Sequence, residues 1–346
     1  MSSVAGSAHG ESAHPSGLWR TLGWISVGIT LIFILNNFMT NWLGFPGAFS
    51  ALSALGILSE KTAQPAEGGD LALGLIQCAM FLGVLVVSAL AVQRSPERTL
   101  RQDALAMSTI VNYIIRAAFW SVLLIGTVDA LISFLRVENL LASVVGEELA
   151  TELGRSRFRG PYVHLPLMLL SLGIAAVSRK ALGFHWLALL VVISELFIVL
   201  SRFVFSYEQA FQGDLVRFWY GALFLFASAY TLFEDGHVRV DVLYAGFSEK
   251  GKGIVNLVGS ITLGFLLCWT ILVYAMWDRS STINSAILAF EVSQSGFGMY
   301  VKYWMAGFLA IFAVTMNIQF TSLALESIAN IRGEPGRRKT AGTPDH

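Results

Sequence analysis

Long apolar runs alternate with short polar segments along most of this chain. A helix needs about 20 apolar residues to cross the hydrocarbon core of a membrane. Eight runs approach or exceed that length. They cover residues 19–42, 71–92, 107–134, 162–178, 184–204, 216–233, 254–277 and 301–325. A soluble fold of 346 residues would not bury eight such helices. The pattern therefore predicts an all-α polytopic membrane protein with about eight transmembrane helices.

Composition supports the membrane assignment and narrows the chemistry. The chain is 55% hydrophobic and only 13% charged, whereas soluble domains usually carry about a quarter charged residues. The formal net charge of zero gives no indication of a nucleic-acid partner. Cys78 and Cys268 both lie in apolar runs, away from any CxxC or Cys/His cluster. The sequence thus predicts neither a disulfide framework nor a zinc site of the usual type.

The distribution of Lys and Arg predicts the orientation. Cytoplasmic loops of membrane proteins carry an excess of these residues. With a cytoplasmic N-terminus, the larger share of Lys and Arg falls on the inner side. Eight spans then place both termini in the cytoplasm. The outer segment 135–161 is an exception, because its arginines are offset by glutamates. Leucines and valines recur in it at helical spacing, which predicts an amphipathic helix on the outer surface.

Segment lengths suggest four regions. Residues 1–18 form a polar N-terminal tail, and the apolar run that follows is too long for a signal peptide, so we expect a retained anchor. Residues 19–183 form an extension with about four spans. Residues 184–331 form a compact unit of four spans with short connections, and residues 332–346 form a polar basic tail.

Three ionisable residues, Arg116, Asp129 and Glu195, lie inside predicted spans. Each costs about 2.5–3.5 kcal/mol in hydrocarbon on insertion scales, so each should face protein or water. The depths of Arg116 and Glu195 differ by only about 5 Å at 1.5 Å per residue, so we hypothesise an ion pair between them. Alternatively, Glu195 belongs to an ion path. Asp129 lies near the outer end of its span, within possible reach of Arg202 or Arg217.

The segment His237-Val238-Arg239-Val240-Asp241 separates two apolar runs at the predicted cytoplasmic edge. Valines alternate with charged residues, so an extended chain would present one polar and one apolar face. This pattern indicates a structured connection at the membrane surface. A simple membrane-flanking loop that obeys charge rules is the alternative interpretation.

The unit at 184–331 resembles the small, Q-type (DctQ-like) membrane subunit of tripartite ATP-independent periplasmic (TRAP) transporters. The matching features, in chain order, are Leu200-Ser201-Arg202-Phe203-Val204-Phe205, Gly213-Asp214-Leu215, the stretch from Glu234 to Tyr244 with its HVRVD motif, Phe247-Ser248, and Glu291 with Ser293. The family pattern usually has a glutamate where this chain has Asp214, and it usually has four spans. Residues 1–183 therefore resemble an extension found in larger members.

The resemblance implies a scaffold without catalytic activity, cofactor or metal. A separate large M-type subunit would carry the substrate and sodium sites, and a periplasmic binding protein would deliver an organic acid. The implied location is the bacterial inner membrane, in contact with lipids. The structural or interface candidates are His237, Arg239, Asp241, Asp214, Arg202, Arg217 and Glu291, together with the intramembrane charges Glu195 and Arg116. Within this set, Arg239 and Asp241 would hold the ends of spans six and seven, and His237 would form a structural hydrogen bond.

Three other functions find less support in the sequence. A haem-binding electron carrier needs paired histidines at matched depth, but His164 and His185 open successive spans at opposite faces. A self-contained transporter would show broken helices or inverted repeats with polar residues at the midplane. An intramembrane enzyme is disfavoured because neither HExxH nor GxSxG nor paired intramembrane aspartates occur.

Overall fold

A computed structural model describes residues 16–59, 65–178, 184–233, 243–293 and 298–336 of the chain. Every regular element within these ranges is helical. The HVRVD motif lies outside the described residues, so His237, Arg239 and Asp241 keep the status of predictions.

The N-terminal half contributes eight helices. They are α1 (Gly17–Asn41), α2 (Ala48–Ala54), α3 (Gly69–Gln93), α4 (Leu100–Val137), α5 (Leu141–Val145), α6 (Glu147–Leu153), α7 (Ser156–Arg159) and α8 (Leu165–Val177). A π-helical turn, Gly160–His164, joins α7 to α8. Such wide turns re-aim side chains within an otherwise regular helix.

The C-terminal half contributes six helices. They are α9 (Phe184–Val204), α10 (Ala210–Phe233), α11 (Glu249–Gly259), α12 (Leu266–Met276), α13 (Thr282–Leu288) and α14 (Lys302–Ile331). A short 3₁₀ turn, Tyr244–Gly246, precedes α11, and a π-helical segment, Ser260–Phe265, makes α11 and α12 one continuous span.

Eight segments within the described ranges are long and apolar enough to cross a membrane: α1, α3, α4, α7 with α8, α9, α10, α11 with α12, and α14. The predicted all-α polytopic fold is therefore confirmed. We call the end of the bundle where α1 begins and α14 ends the near face, and the opposite end the far face. The cytoplasmic placement of the near face stays a prediction from the Lys and Arg distribution.

Helix α4 is longer than its apolar run, because it begins at Leu100 rather than at residue 107. Thr99 and Gln102 form a reciprocal capping box, with each side chain accepting a hydrogen bond from the other residue's backbone N–H. At 1.5 Å per residue its 38 residues span about 57 Å, against about 30 Å of hydrocarbon. The helix therefore either tilts strongly or projects beyond the membrane.

The prediction of one amphipathic helix over 135–161 is wrong. The segment instead holds the end of α4 and the short helices α5, α6 and α7. Gly146 has φ of +86°, a backbone conformation that glycine adopts readily and that interrupts a helix. As a result, Leu141 and Leu153 are buried while Val144 is 65% exposed. The apolar positions do not share a single face.

Helix α14 is the centre of the bundle, and α1, α4, α10, α11, α12 and α13 all pack against it. Its contacts with the N-terminal half are partly polar. The Asn317 amide donates a hydrogen bond to Thr30 Oγ1 at 2.7 Å, and the hydroxyls of Ser108 and Ser322 lie 3.0 Å apart. The boundary between residues 183 and 184 thus stays a prediction from the sequence. In the structure, helices from both sides of that boundary pack against α14.

A buried ion pair holds the start of α1 against the start of α4 at the near face. Arg20 Nε donates to Asp103 at 2.6 Å, and both side chains are almost fully buried. The other guanidinium nitrogens of Arg20 donate to the backbone carbonyl and the hydroxyl of Ser95. Arg98 lies 3.0 Å from the second carboxylate oxygen of Asp103. The pair is therefore hydrogen-bonded on several sides, as a buried pair must be.

Arg101 ties α4 to the end of α14 at the same face. It forms an ion pair with Glu326 and donates to the Asn330 side chain at 2.9 Å. It also donates to the backbone carbonyls of Glu334 and Pro335 at 2.9 and 3.2 Å. The chain beyond α14 is consequently anchored to the N-terminal half.

The crossing of α4 and α10 depends on Gly126. A Cβ atom at this position would lie 2.7 Å from Trp219 Nε1 and 3.3 Å from Phe218 Cδ1. The indole N–H of Trp219 donates to the backbone carbonyl of Val122 at 3.3 Å. The missing side chain therefore allows an aromatic pair from the C-terminal half to approach the backbone of α4.

Gly126→Leu is expected to destabilise the protein by about 1–3 kcal/mol, because the added side chain overpacks the α4–α10 crossing. Gly83→Leu on α3 is the matched control, since a Cβ there meets no heavy atom within 4 Å. Thermal unfolding in detergent, followed by size-exclusion chromatography, measures the difference. Equal stability of the two variants would contradict the role of Gly126.

Candidate functional site

Asp129 is a fully buried carboxylate near the far end of α4. It accepts hydrogen bonds from Arg159 Nη1 at 2.7 Å, His164 Nε2 at 3.1 Å and the backbone N–H of Tyr300 at 2.8 Å. The side chains of Arg159 and His164 are also 0% exposed. Three donors to one carboxylate offset much of the cost of burying its charge.

The predicted partners of Asp129 are wrong. Arg202 forms its ion pair with Glu208, with Nε and Oε2 3.0 Å apart, and Arg217 lies beside Asp214. Asp129 instead binds a cation from its own half of the chain. Arg159 is the last residue of α7 and His164 the last residue of the π-helical turn that follows, so both partners come from the segment between α4 and α8.

Arg159 is held from several directions. Its Nε donates to the backbone carbonyl of Leu153, and Nη1 also lies 3.3 Å from Ser133 Oγ. The guanidinium carbon stands 4.3 Å from the centre of the Tyr300 ring, a cation–π arrangement. The next residue, Gly160, leaves room for Phe290, whose ring would lie 2.2 Å from a Cβ atom. A larger residue there would displace Phe290 or shift Arg159.

His164 connects Asp129 to the start of α14. A carboxylate accepts hydrogen bonds, so Nε2 is the donor toward Asp129. Nδ1 then accepts from the Tyr303 hydroxyl at 2.6 Å and from the Trp304 indole N–H at 3.3 Å. Both ring nitrogens of His164 therefore have hydrogen-bond partners within the protein. An iron ligand needs a free ring nitrogen, so this arrangement indicates a structural role.

Asp214, on the first turns of α10, is a second carboxylate at the far face. Its Oδ2 accepts from the backbone N–H of Met299 at 3.0 Å and from the Ser293 hydroxyl at 3.2 Å. Arg217 Nη1 lies 3.4 Å from Oδ1. The structure thus brings the predicted residues Asp214 and Arg217 together, with Ser293 beside them.

Two adjacent backbone N–H groups therefore bind two carboxylates from different halves of the chain. Asp129 accepts from Tyr300, and Asp214 accepts from Met299. We call this arrangement, with Arg159 and His164, the far-face clamp. It fixes the segment that leads into α14. Tyr300 extends the clamp, since its hydroxyl donates to the backbone carbonyl of Gly154 at 2.8 Å.

Arg136 and Glu291 lie at the edges of the clamp. Arg136 donates to the backbone carbonyl of Gly298 at 3.0 Å, and its guanidinium carbon lies 4.8 Å from the centre of the Tyr300 ring. The predicted residue Glu291 forms an ion pair with Lys302, and its backbone carbonyl accepts from Tyr303 N–H at 3.0 Å. Both contacts stabilise the same approach to α14.

The hypothesised ion pair between Arg116 and Glu195 is not formed. Glu195 is exposed on α9, and Arg116 is half-buried on α4, where its Nε has no hydrogen-bond partner among the described residues. Both α4 and α9 pack against α10. The match in depth expected from the sequence therefore does not bring the two charges together.

Sequence reasoning missed Arg159 and His164 as partners of Asp129. The sequence places Arg159 in the outer segment 135–161 and His164 at the start of the following span, without indicating a contact between either residue and Asp129. The available signal was Asp129 itself, because an intramembrane carboxylate near the outer edge requires a nearby cation. Arg159 is the last arginine before the following span.

Removing both partners of the buried pair is expected to cost less than the sum of the two single removals. Asp129→Asn and Arg159→Met should each destabilise the protein by about 3–5 kcal/mol, because each leaves an uncompensated buried group. The double variant should lose less than the sum of the two single losses. Thermal unfolding in one detergent measures the stability of all three variants.

Arg155→Met is the control, with an effect below about 1 kcal/mol expected, since Arg155 pairs with Glu152 at the surface. Additive losses would contradict the coupling.

Comparison with known proteins identifies the C-terminal unit. Residues 187–330 match the family model described as "Tripartite ATP-independent periplasmic transporters, DctQ component". No curated protein and no solved structure matches the chain. The match runs from the first turn of α9 to the last turn of α14, which confirms the resemblance drawn from the sequence.

The family is found in the inner membrane, and the eight apolar helices fit a multi-pass placement there. Residues 187–330 of this multi-pass inner-membrane protein are therefore similar to the DctQ component of the TRAP transporters, with additional helices preceding them.

Proposed function

We propose that this chain is a scaffold subunit that braces a separate, large M-type transport subunit. The observation that carries the proposal is the match of α9–α14 to the DctQ component. In this role the chain binds no solute itself. Its task is to hold a stable surface in the membrane against which the large subunit moves.

The polar interior of the bundle supports a bracing role. Hydroxyl and amide groups between α1, α4 and α14 bond to one another, as with Ser26 and Thr321, whose hydroxyls lie 3.0 Å apart. A solute pathway instead needs polar groups that face a water-filled cavity. A crevice of about 170 Å³ between α4, α8, α10 and α14 is lined by apolar groups, including Phe218, Trp304 and Phe308. These features suit helix packing rather than solute passage.

The remaining parts of the transport system follow from the family. A periplasmic binding protein delivers an organic acid, and a sodium gradient drives its entry through the large subunit. In the predicted orientation the far face is periplasmic, so the far-face clamp lies on the side from which substrate arrives. The HVRVD motif then lies at the cytoplasmic face, where Arg239 and Asp241 hold the ends of two spans and His237 forms a hydrogen bond.

Reconstituted vesicles provide the test. Vesicles that contain this chain alone should accumulate no radiolabelled dicarboxylate, keto acid or sugar acid under an inward sodium gradient. Vesicles that also contain the large subunit, with the binding protein added outside, should accumulate one of these acids. Omission of the sodium gradient is the matched control. Sodium-dependent uptake by this chain alone would overturn the scaffold role.

A further inference from the structure

Glu195 occupies an unusual position on α9. It lies near the middle of this span, about 17 Å from the first residue of the helix at 1.5 Å per residue. Its side chain is exposed, and it forms no ion pair with any other described residue. An ionised carboxylate facing hydrocarbon is costly, so such residues normally face protein or water. Glu195 therefore calls for a partner beyond this chain.

The residues around Glu195 form a face suited to helix packing. Ala188, Val192, Glu195 and Val199 are spaced by four, three and four positions, the spacing of a seam between two helices. We call this set the α9 seam. Val192 is 61% exposed and Val199 is 47% exposed. Small and branched side chains flank the carboxylate, so a second helix can approach closely.

A different side of α9 is already occupied. Leu187, Ser194 and Ser201 are buried there, where α9 packs against α10. The α9 seam lies outside this packed side, and Val192, Glu195 and Val199 on it are exposed. Helix α3 has an equally bare face, with Leu82, Val86 and Val87 exposed, but no charged residue lies within its apolar run. That apolar face suits contact with lipid, whereas the α9 seam carries a carboxylate near the middle of its span.

We propose that the α9 seam is the docking face for a membrane helix of the large subunit, which places a Lys or Arg side chain opposite Glu195. Charge complementarity is the basis of the assignment, because a buried cation would balance the carboxylate and remove it from lipid. The inference rests on the proposed function and adds the surface and the chemistry of the contact. The resulting pair would set the depth and rotation of one helix against the other.

Co-purification of the two full-length subunits in mild detergent tests the contact. The wild-type chain should retain the large subunit. Glu195→Leu and Glu195→Gln should each reduce the retained amount about tenfold, because neither carries the charge, while Glu195→Asp should retain most of it. Glu148→Gln, which removes an exposed carboxylate from α6, is the control and should behave as wild type. Full retention by Glu195→Leu would overturn the proposal, since it would show that the carboxylate has no partner.

Photo-crosslinking locates the face without disturbing Glu195. p-Benzoylphenylalanine at Val192, on the α9 seam, should crosslink to the large subunit in membranes, while the same group at Val87 on α3 should not. A crosslink from Val87 and none from Val192 would overturn the assignment of the face. Failure of the wild-type chain to retain any large subunit would instead overturn the proposed function, so the two failures are distinguishable.

Discussion

Two carboxylates that bind adjacent backbone N–H groups are the constraint on which this structure depends. Asp129 comes from the N-terminal half and Asp214 from the segment that matches the DctQ component, and they hold Tyr300 and Met299 at the entrance to α14. Each carboxylate also has a side-chain partner, because Arg159 and His164 bind Asp129 and Arg217 lies beside Asp214. Backbone groups just before a helix have no partners within it, so their pairing with charged acceptors gives strong and directional bonds. The far-face clamp therefore fixes the most buried helix of the bundle through both halves at once.

This arrangement explains how the C-terminal helices and the additional N-terminal helices form one packed body. Helix α14 lies in the segment that matches the DctQ component, yet α1 and α4 both pack against it. The contact includes hydrogen bonds such as that from Asn317 to Thr30, which need precise alignment of the two helices. The near-face pair of Arg20 and Asp103 aligns α1 with α4 in the same way. The helices of the extension thus pack as one body with the C-terminal helices.

Much of the fold could be predicted from the sequence, because crossing a membrane imposes a length and a composition on each helix. The apolar runs identified all eight spans within the described residues, and the capping residues Thr99 and Gln102 account for the longer α4. The pairing of charges was less predictable. Depth along a helix follows from residue number, but the direction in which a side chain points follows only from packing. That is why Arg116 and Glu195 match in depth without meeting. Arg159 lies on α7 and His164 on the π-helical turn that follows, and periodicity reveals neither placement.

The contacts of Arg101 determine where the chain leaves the bundle after α14. This side chain grips the backbone carbonyls of Glu334 and Pro335, beyond the last turn of α14, from the first turn of α4. The basic tail consequently starts from a point whose position is set by the N-terminal half. A domain or label fused to that tail would therefore be attached at a defined point on the surface, close to where α1 enters the bilayer. Distances measured from such a label would report on the orientation of the whole bundle.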